Sequence, residues 1–194
     1  MNNPTAAMIV IGDEILSGRT RDSNMHFLAK ELVKIGIGLQ EVRIVSDIES
    51  EIIFAINELK KKFNYVFTSG GIGPTHDDIT ADSIAKAFNV KIGVRSDAKQ
   101  LLTEYYKESR VTLNESRLRM ARIPEGAHLI ENSISGAPGF QIENVYVMAG
   151  VPSIFQSMVN FSLKNITGGS PVISQSITTV SYTHLRAHET DSYL

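Results

Sequence analysis

Hydrophobic positions along the chain follow two rules by turns. Ala6–Ile11 is an unbroken apolar run ending at Gly12, the pattern of a strand buried on both faces. Leu39–Val45, Tyr65–Thr68 and Val145–Met148 read as further strands. Between these segments the apolar spacing changes to three and four. Met25, Leu28, Leu32 and Ile35 mark one face of a helix, with Asp22 or Ser23 to cap its start and Gly36 or Gly38 its end. Ile48, Ile52, Ile56, Leu59 and Phe63 mark a second helix, whose last turn carries Lys60, Lys61 and Lys62. Ser46 and Glu49 have the spacing of a capping box at its start. A third helix is predicted from about Asp78 to Phe88. Beyond it the pattern predicts a strand at Val90–Val94, a helix at Asp97–Glu108 and a helical piece over Asn114–Arg122. Short strands at His128–Ile130 and Phe140–Ile142 flank the turn SISGAPG, and a last helix opens at Val151-Pro152-Ser153.

Strands alternating with helices of this length imply an α/β fold: a three-layer sandwich with a mainly parallel sheet and helices on both faces. Ligands of such sheets bind at the carboxyl ends of the strands. Three predicted strand ends carry unusual residues: Gly12-Asp13-Glu14, Ser46-Asp47 and the stretch SGGIGPTHDDIT, Ser69 to Thr80. Gly70, Gly71 and Gly73 let a backbone approach a ligand and point its amides inward, and the following helix start favours an anion. The stretch is neither a P-loop nor a dinucleotide fingerprint.

Asp77 and Asp78 change what that turn could receive. Carboxylates beside a phosphate repel it unless a divalent cation lies between them, so the combination points to a metal-bound nucleotide. The competing reading is that both aspartates merely complement the helix dipole. If Ser46 caps the second helix, Asp47 is free for a metal or ligand. Arg117, Arg119 and Arg122 either reach toward phosphates or form a solvated helical face, the reading the spacing favours, and His76 reads as a loop residue. Asn24 fits either a helix cap or a substrate contact.

Composition narrows the class of partner. The 194 residues include 19 basic and 21 acidic side chains, a net charge of −2, which argues against a general binder of polymeric nucleic acid or of membrane surfaces. Cysteine is absent, which excludes disulfides and thiolate chemistry. No run approaches the ~20 apolar residues of a membrane span, and the N-terminus lacks a signal peptide's basic region, so a cytoplasmic protein is expected. Residues 181–194 lack apolar period and read as a non-native tail, in which His184 and His188 carry no function.

Four segments taken in order resemble a known family: IGDEILSGRTRDSN (Ile11–Asn24), TSGGIGPTHDDIT (Thr68–Thr80), SGAPGF (Ser135–Phe140) and AGVPSIFQSM (Ala149–Met158). They look like the molybdopterin-binding-like domain of competence/damage-inducible protein A. Its superfamily includes the molybdopterin adenylyltransferases and molybdenum insertases. The resemblance implies one such domain over residues 1–167, with 168–180 the start of a truncated continuation. It implies metal-dependent hydrolysis of the pyrophosphate of ADP-ribose or a similar adenosine dinucleotide. The alternatives are molybdopterin binding and adenylylation in molybdenum cofactor synthesis, or a pterin- or nucleotide-binding module without turnover.

Carried over by motif, Asp78 and Asp47 become the catalytic pair. Ser69, Gly70, Gly71, Gly73, Thr75, Asp13, Glu14 and Asn24 become the phosphate and nucleotide contacts. Asp47, Asp77 and Asp78 become ligands of Mg²⁺, Mn²⁺ or Co²⁺. The adenylyltransferases commonly have arginine where this chain has Asp77, a departure that favours hydrolysis. Relatives form dimers or trimers, so a homo-oligomer is implied. The nicotinamide-nucleotide amidase domain that often follows in full-length homologues has no counterpart here.

Overall fold

The first strand sits inside the sheet. In the computed structural model, which describes residues 3–108 and 112–171, β1 (Thr5–Ile11) pairs in parallel with β2 (Gly38–Val45) on one side and β3 (Tyr65–Ser69) on the other. Its residues Ala6–Ile11 are buried on both faces, which is why the run is apolar without alternation. Beyond β3 lie β8 (Val145–Met148), parallel, and then β7 (Gly139–Ile142) and β6 (His128–Ile130), antiparallel. The sheet order is β2-β1-β3-β8-β7-β6.

Helices cover both faces. Ala7, Ile9 and Ile11 pack with residues of α3 (Glu49–Lys62) and α4 (Thr80–Ala87), including Ile52, Ile56 and Ile84. Ala6, Met8 and Val10 pack with Leu28 and Leu32 of α2 (Asn24–Lys34) and with Phe155 and Met158 of α7 (Pro152–Ser162). The period of two along β1 thus separates two cores and makes three layers. A one-turn helix, α1 (Asp13–Leu16), follows β1 directly. No helix among the described residues is long and apolar enough to cross a membrane.

Local signals were followed in most places and overruled in a few. Asp22 caps α2, its carboxylate accepting from the amides of Asn24 (3.3 Å) and Met25 (3.0 Å). The same helix ends where the Gly36 amide bonds the Val33 carbonyl and the Ile37 amide bonds that of Leu32. The Ser46–Glu49 box does not form. The helix begins at Glu49 without a side-chain cap, and the Glu49 carboxylate instead takes Lys86 of α4 at 2.7 and 2.8 Å.

The strand expected at Val90–Val94 shortens to β4 (Ile92–Val94), followed by α5 (Ser96–Glu108). The helix expected over Asn114–Arg122 breaks into α6 (Glu115–Leu118), a 3₁₀ turn (Arg119–Ala121) and a strand, β5 (Arg122–Pro124), that pairs with β4. Pro124 biases Ile123 toward extended backbone, and Ile123 is then buried in the core. The strand read after Gly169, the tail at 181–194, His184 and His188 fall at or beyond the end of the described residues.

The chain returns to its own start. Asn3 and Ser170 exchange two hydrogen bonds of 2.9 and 3.0 Å, and the Gly169 amide bonds the Ile35 carbonyl.

Candidate functional site

The carboxyl ends of β1, β2, β3 and β8 converge on a cavity of about 550 Å³. The turn after β3 forms part of its wall and is drawn tightly against its neighbours. At Gly70, φ is +110°, and the space a Cβ would need is taken by the Ile11 carbonyl at the end of β1. At Gly71, φ is +68°, and that space is taken by the Thr80 hydroxyl. Only glycine tolerates both the left-handed backbone and the contact. The Thr80 amide then donates to the Gly71 carbonyl at 2.9 Å, locking the first residue of α4 against the turn.

Beyond the turn, Thr75 organises both aspartates. Its amide donates to Asp78 Oδ2 at 2.8 Å, and its hydroxyl lies 2.6 Å from the same oxygen and also against Asp77 Oδ1. That hydroxyl bond holds the Asp77 carboxyl below its ordinary range. It also explains why α4 starts at Thr80 rather than at Asp78, since the Asp78 carboxylate is turned back into the loop. His76 between them is fully exposed.

On the far side of β1, Asp47 Oδ2 accepts from the Asp13 amide at 3.0 Å. Burial pushes the Asp47 carboxyl up, and the charges of Asp13, Glu14 and Asp77 push the same way against that amide bond. Glu14, Asp47, Asp77 and Asp78 all line the cavity. The strand order β2-β1-β3 is what brings them together.

The metal set expected at Asp47, Asp77 and Asp78 is brought to one cavity but not to one point. Among the described residues no three carboxylates or histidines are grouped closely enough to hold an ion. One oxygen of each carboxylate is already engaged by an amide or hydroxyl. The protein side chains therefore do not fit a preformed coordination shell.

Asn24 is 3 % exposed, and its amide nitrogen donates to Ser69 Oγ (2.7 Å) and to the Gly150 carbonyl (2.8 Å), while its Oδ1 is buried without a hydrogen-bond partner among the described residues. It ties β3 to the loop after β8. Ser69, the last residue of β3 and 2 % exposed, is its partner and does not line the cavity.

The arginine face is only partly a solvated one. Arg122 forks onto Asp82 of α4 at 2.6 and 2.8 Å, while Arg119 Nε is buried. Gly150, Val151 and Pro152, which line the cavity after β8, were missed as site residues. The rule of carboxyl strand ends, applied to Val145–Met148 as it was to the other three strands, would have found them.

A mostly parallel sheet carrying a glycine turn and carboxylates at its strand ends defines a molybdopterin-binding-domain-like α/β protein. The chain belongs to the family described as "Probable molybdopterin binding domain", whose model matches residues 7–168. A protein of Metallosphaera sedula is 34 % identical over 174 residues, covering 87 % of this chain and 66 % of that protein. The chain thus spans about two thirds of the length of the curated relatives it matches. Among solved structures, the protein CinA from Thermoplasma acidophilum, described as of unknown function, superposes with a TM-score of 0.76 at 31 % identity, over 83 % of this chain and 98 % of that one. The tungsten cofactor synthesizing protein MoaB from Pyrococcus furiosus shares the fold, with a TM-score of 0.55 at 19 % identity over 97 % and 98 % of the two chains.

Proposed function

We propose that this domain binds a phosphorylated pterin or an adenosine nucleotide at the carboxyl end of its sheet, with the Gly70–Gly73 turn receiving the phosphate. The observation that carries this reading is the 550 Å³ cavity, a size suited to one such ligand, walled by that turn. Membership of the molybdopterin-binding family supports a pterin, and the likeness to a cofactor-synthesis protein points the same way. On this reading the domain works in the cytoplasm, within a homo-oligomer.

A second reading, hydrolysis of an ADP-ribose-type pyrophosphate, is favoured by one observation. The cavity rim is acidic where an adenylyltransferase-like site carries arginine: Asp77 stands beside Asp78, with Asp47 and Glu14 opposite. Magnesium is commonly held by one or two carboxylates plus the phosphates of its substrate, so a divalent cation arriving with a nucleotide does not need a preformed protein shell. In this reading Asp78 and Asp47 flank the diphosphate, and a divalent cation (Mg²⁺, Mn²⁺ or Co²⁺) supplies the charge neutralisation that lets it approach.

Calorimetry with a phosphorylated pterin and with ADP-ribose, each with and without Mg²⁺, tests binding, and chromatography of AMP from the ADP-ribose samples tests turnover. Tight binding that survives Asp78→Asn with no AMP under any metal supports a binding domain. Metal-dependent AMP that disappears in Asp78→Asn supports the hydrolase. Absence of binding by a folded protein rejects both.

A further inference from the structure

The large cavity has a neighbour. A pocket of about 20 Å³ shares Ile72, Gly73, Asp78 and Met120 with it, and Asp82, Arg119 and Arg122 are among its other lining residues. The two arginines are in opposite circumstances. Arg122 is neutralised by its fork onto Asp82. Arg119 Nε is buried without a hydrogen-bond partner, and the side chain makes no ion pair with any described residue. A guanidinium stays charged at any accessible pH, so burial of its N–H calls for an acceptor.

The charges of the main cavity sharpen the contrast. Every ionisable side chain lining it is acidic. A ligand bearing a phosphate would therefore meet several negative groups there, while Arg119, which makes no ion pair among the described residues, lines the neighbouring pocket.

We infer that Arg119 is the anion-binding side chain of this site, its guanidinium donating to a phosphate oxygen lodged in the small pocket. The inference rests on the phosphorylated-ligand reading above and assigns the group that recognises the phosphate. The small pocket has room for about one water-sized atom, so a single oxygen enters it while the body of the ligand stays in the large cavity. Because Asp78 lines both spaces, the oxygen held by Arg119 lies next to the carboxylate that Thr75 holds in place. The arginine thus offsets the repulsion that the acidic rim imposes. It discriminates between a phosphorylated compound and its uncharged parent, since charge-assisted bonds exceed neutral ones in strength.

The test is calorimetric titration of inorganic pyrophosphate, ADP-ribose and adenosine into the whole chain, as wild type, Arg119→Gln and Arg119→Lys, with thermal melts to check folding. Arg119→Gln is expected to weaken pyrophosphate and ADP-ribose by about 10- to 100-fold and to leave adenosine unchanged. Arg119→Lys keeps the charge but loses the planar guanidinium fork, and is expected to weaken both anions by about 3- to 10-fold. If the glutamine variant does not fold, the lysine variant decides alone. Anion affinities unchanged in a folded variant, or an equal loss for adenosine, overturn the assignment while leaving the phosphate-ligand reading intact. Failure of the wild type to bind either anion rejects that reading, and this assignment with it.

Discussion

Asp47 shows how a single carboxyl records its surroundings. Burial is the largest influence raising its pKa, and Asp13, Glu14 and Asp77 add to it. The folded chain therefore holds this proton more firmly than the unfolded chain, whose aspartate has its ordinary value of 3.8. As pH rises from that value through the raised one, the fold loses stability, and the loss is complete above it. Asp47→Asn removes that loss and keeps an oxygen for the Asp13 amide. Its urea midpoint at pH 7 is expected at or above that of wild type, and a fall equivalent to more than about 1 kcal/mol would contradict the electrostatic account. Gly70 predicts the opposite sign. A methyl group there combines left-handed strain with overlap of the Ile11 carbonyl, so Gly70→Ala is expected to cost at least about 2 kcal/mol in urea denaturation. Retention of wild-type stability would mean that the turn opens more easily than its geometry implies.

Elements here are joined by side chains whose importance has no local signature. Asn144, in the turn between β7 and β8, donates to the carbonyls of Lys60 and Phe63 at 3.0 Å each, closing the last turn of α3. Lys60 in turn reaches the Ala87 carbonyl at the end of α4 and stands 3.8 Å over the Phe88 ring. Asn144→Ala leaves two carbonyls short of a donor and is expected to cost about 2 kcal/mol, with faster amide exchange at the end of α3 than elsewhere in that helix. Equal exchange along α3 would assign the loss elsewhere. The same contrast between near and far partners explains which elements could be read in advance. Asp22 caps α2 two and three residues away, within reach of a local pattern. Glu49 was misjudged because its partner, Lys86, arrives from a helix that sequence spacing cannot place beside it. The run from Asn114 to Arg122 kept helical spacing but gave up its last residue to an antiparallel partner, Val94, which only the folded chain supplies.

At the scale of the whole molecule, the sheet order decides how much of the site was visible. The three strand ends with unusual residues do converge, because β1 lies between β2 and β3 and all three run the same way. The fourth end, at Gly150, escaped notice because its residues are bland: it contributes backbone and apolar wall rather than charge. Whether the carboxylates meet in one coordination shell could not be read either, since that depends on Thr75 and the Asp13 amide having engaged them first. The clasp between Asn3 and Ser170 carries a different consequence. It lies near the start of β1, away from the carboxyl ends that build the cavity, and it brings the two ends of the described fold into contact. The described fold is therefore close to a ring. A circular permutant in which a short linker leads from Ser170 into Asn3, and the chain instead opens at the exposed turn between Glu125 and Gly126, is expected to melt cooperatively and bind the same ligands as the natural order. If it does, the site belongs to the arrangement of the strands, and the order in which the chain connects them is incidental to it.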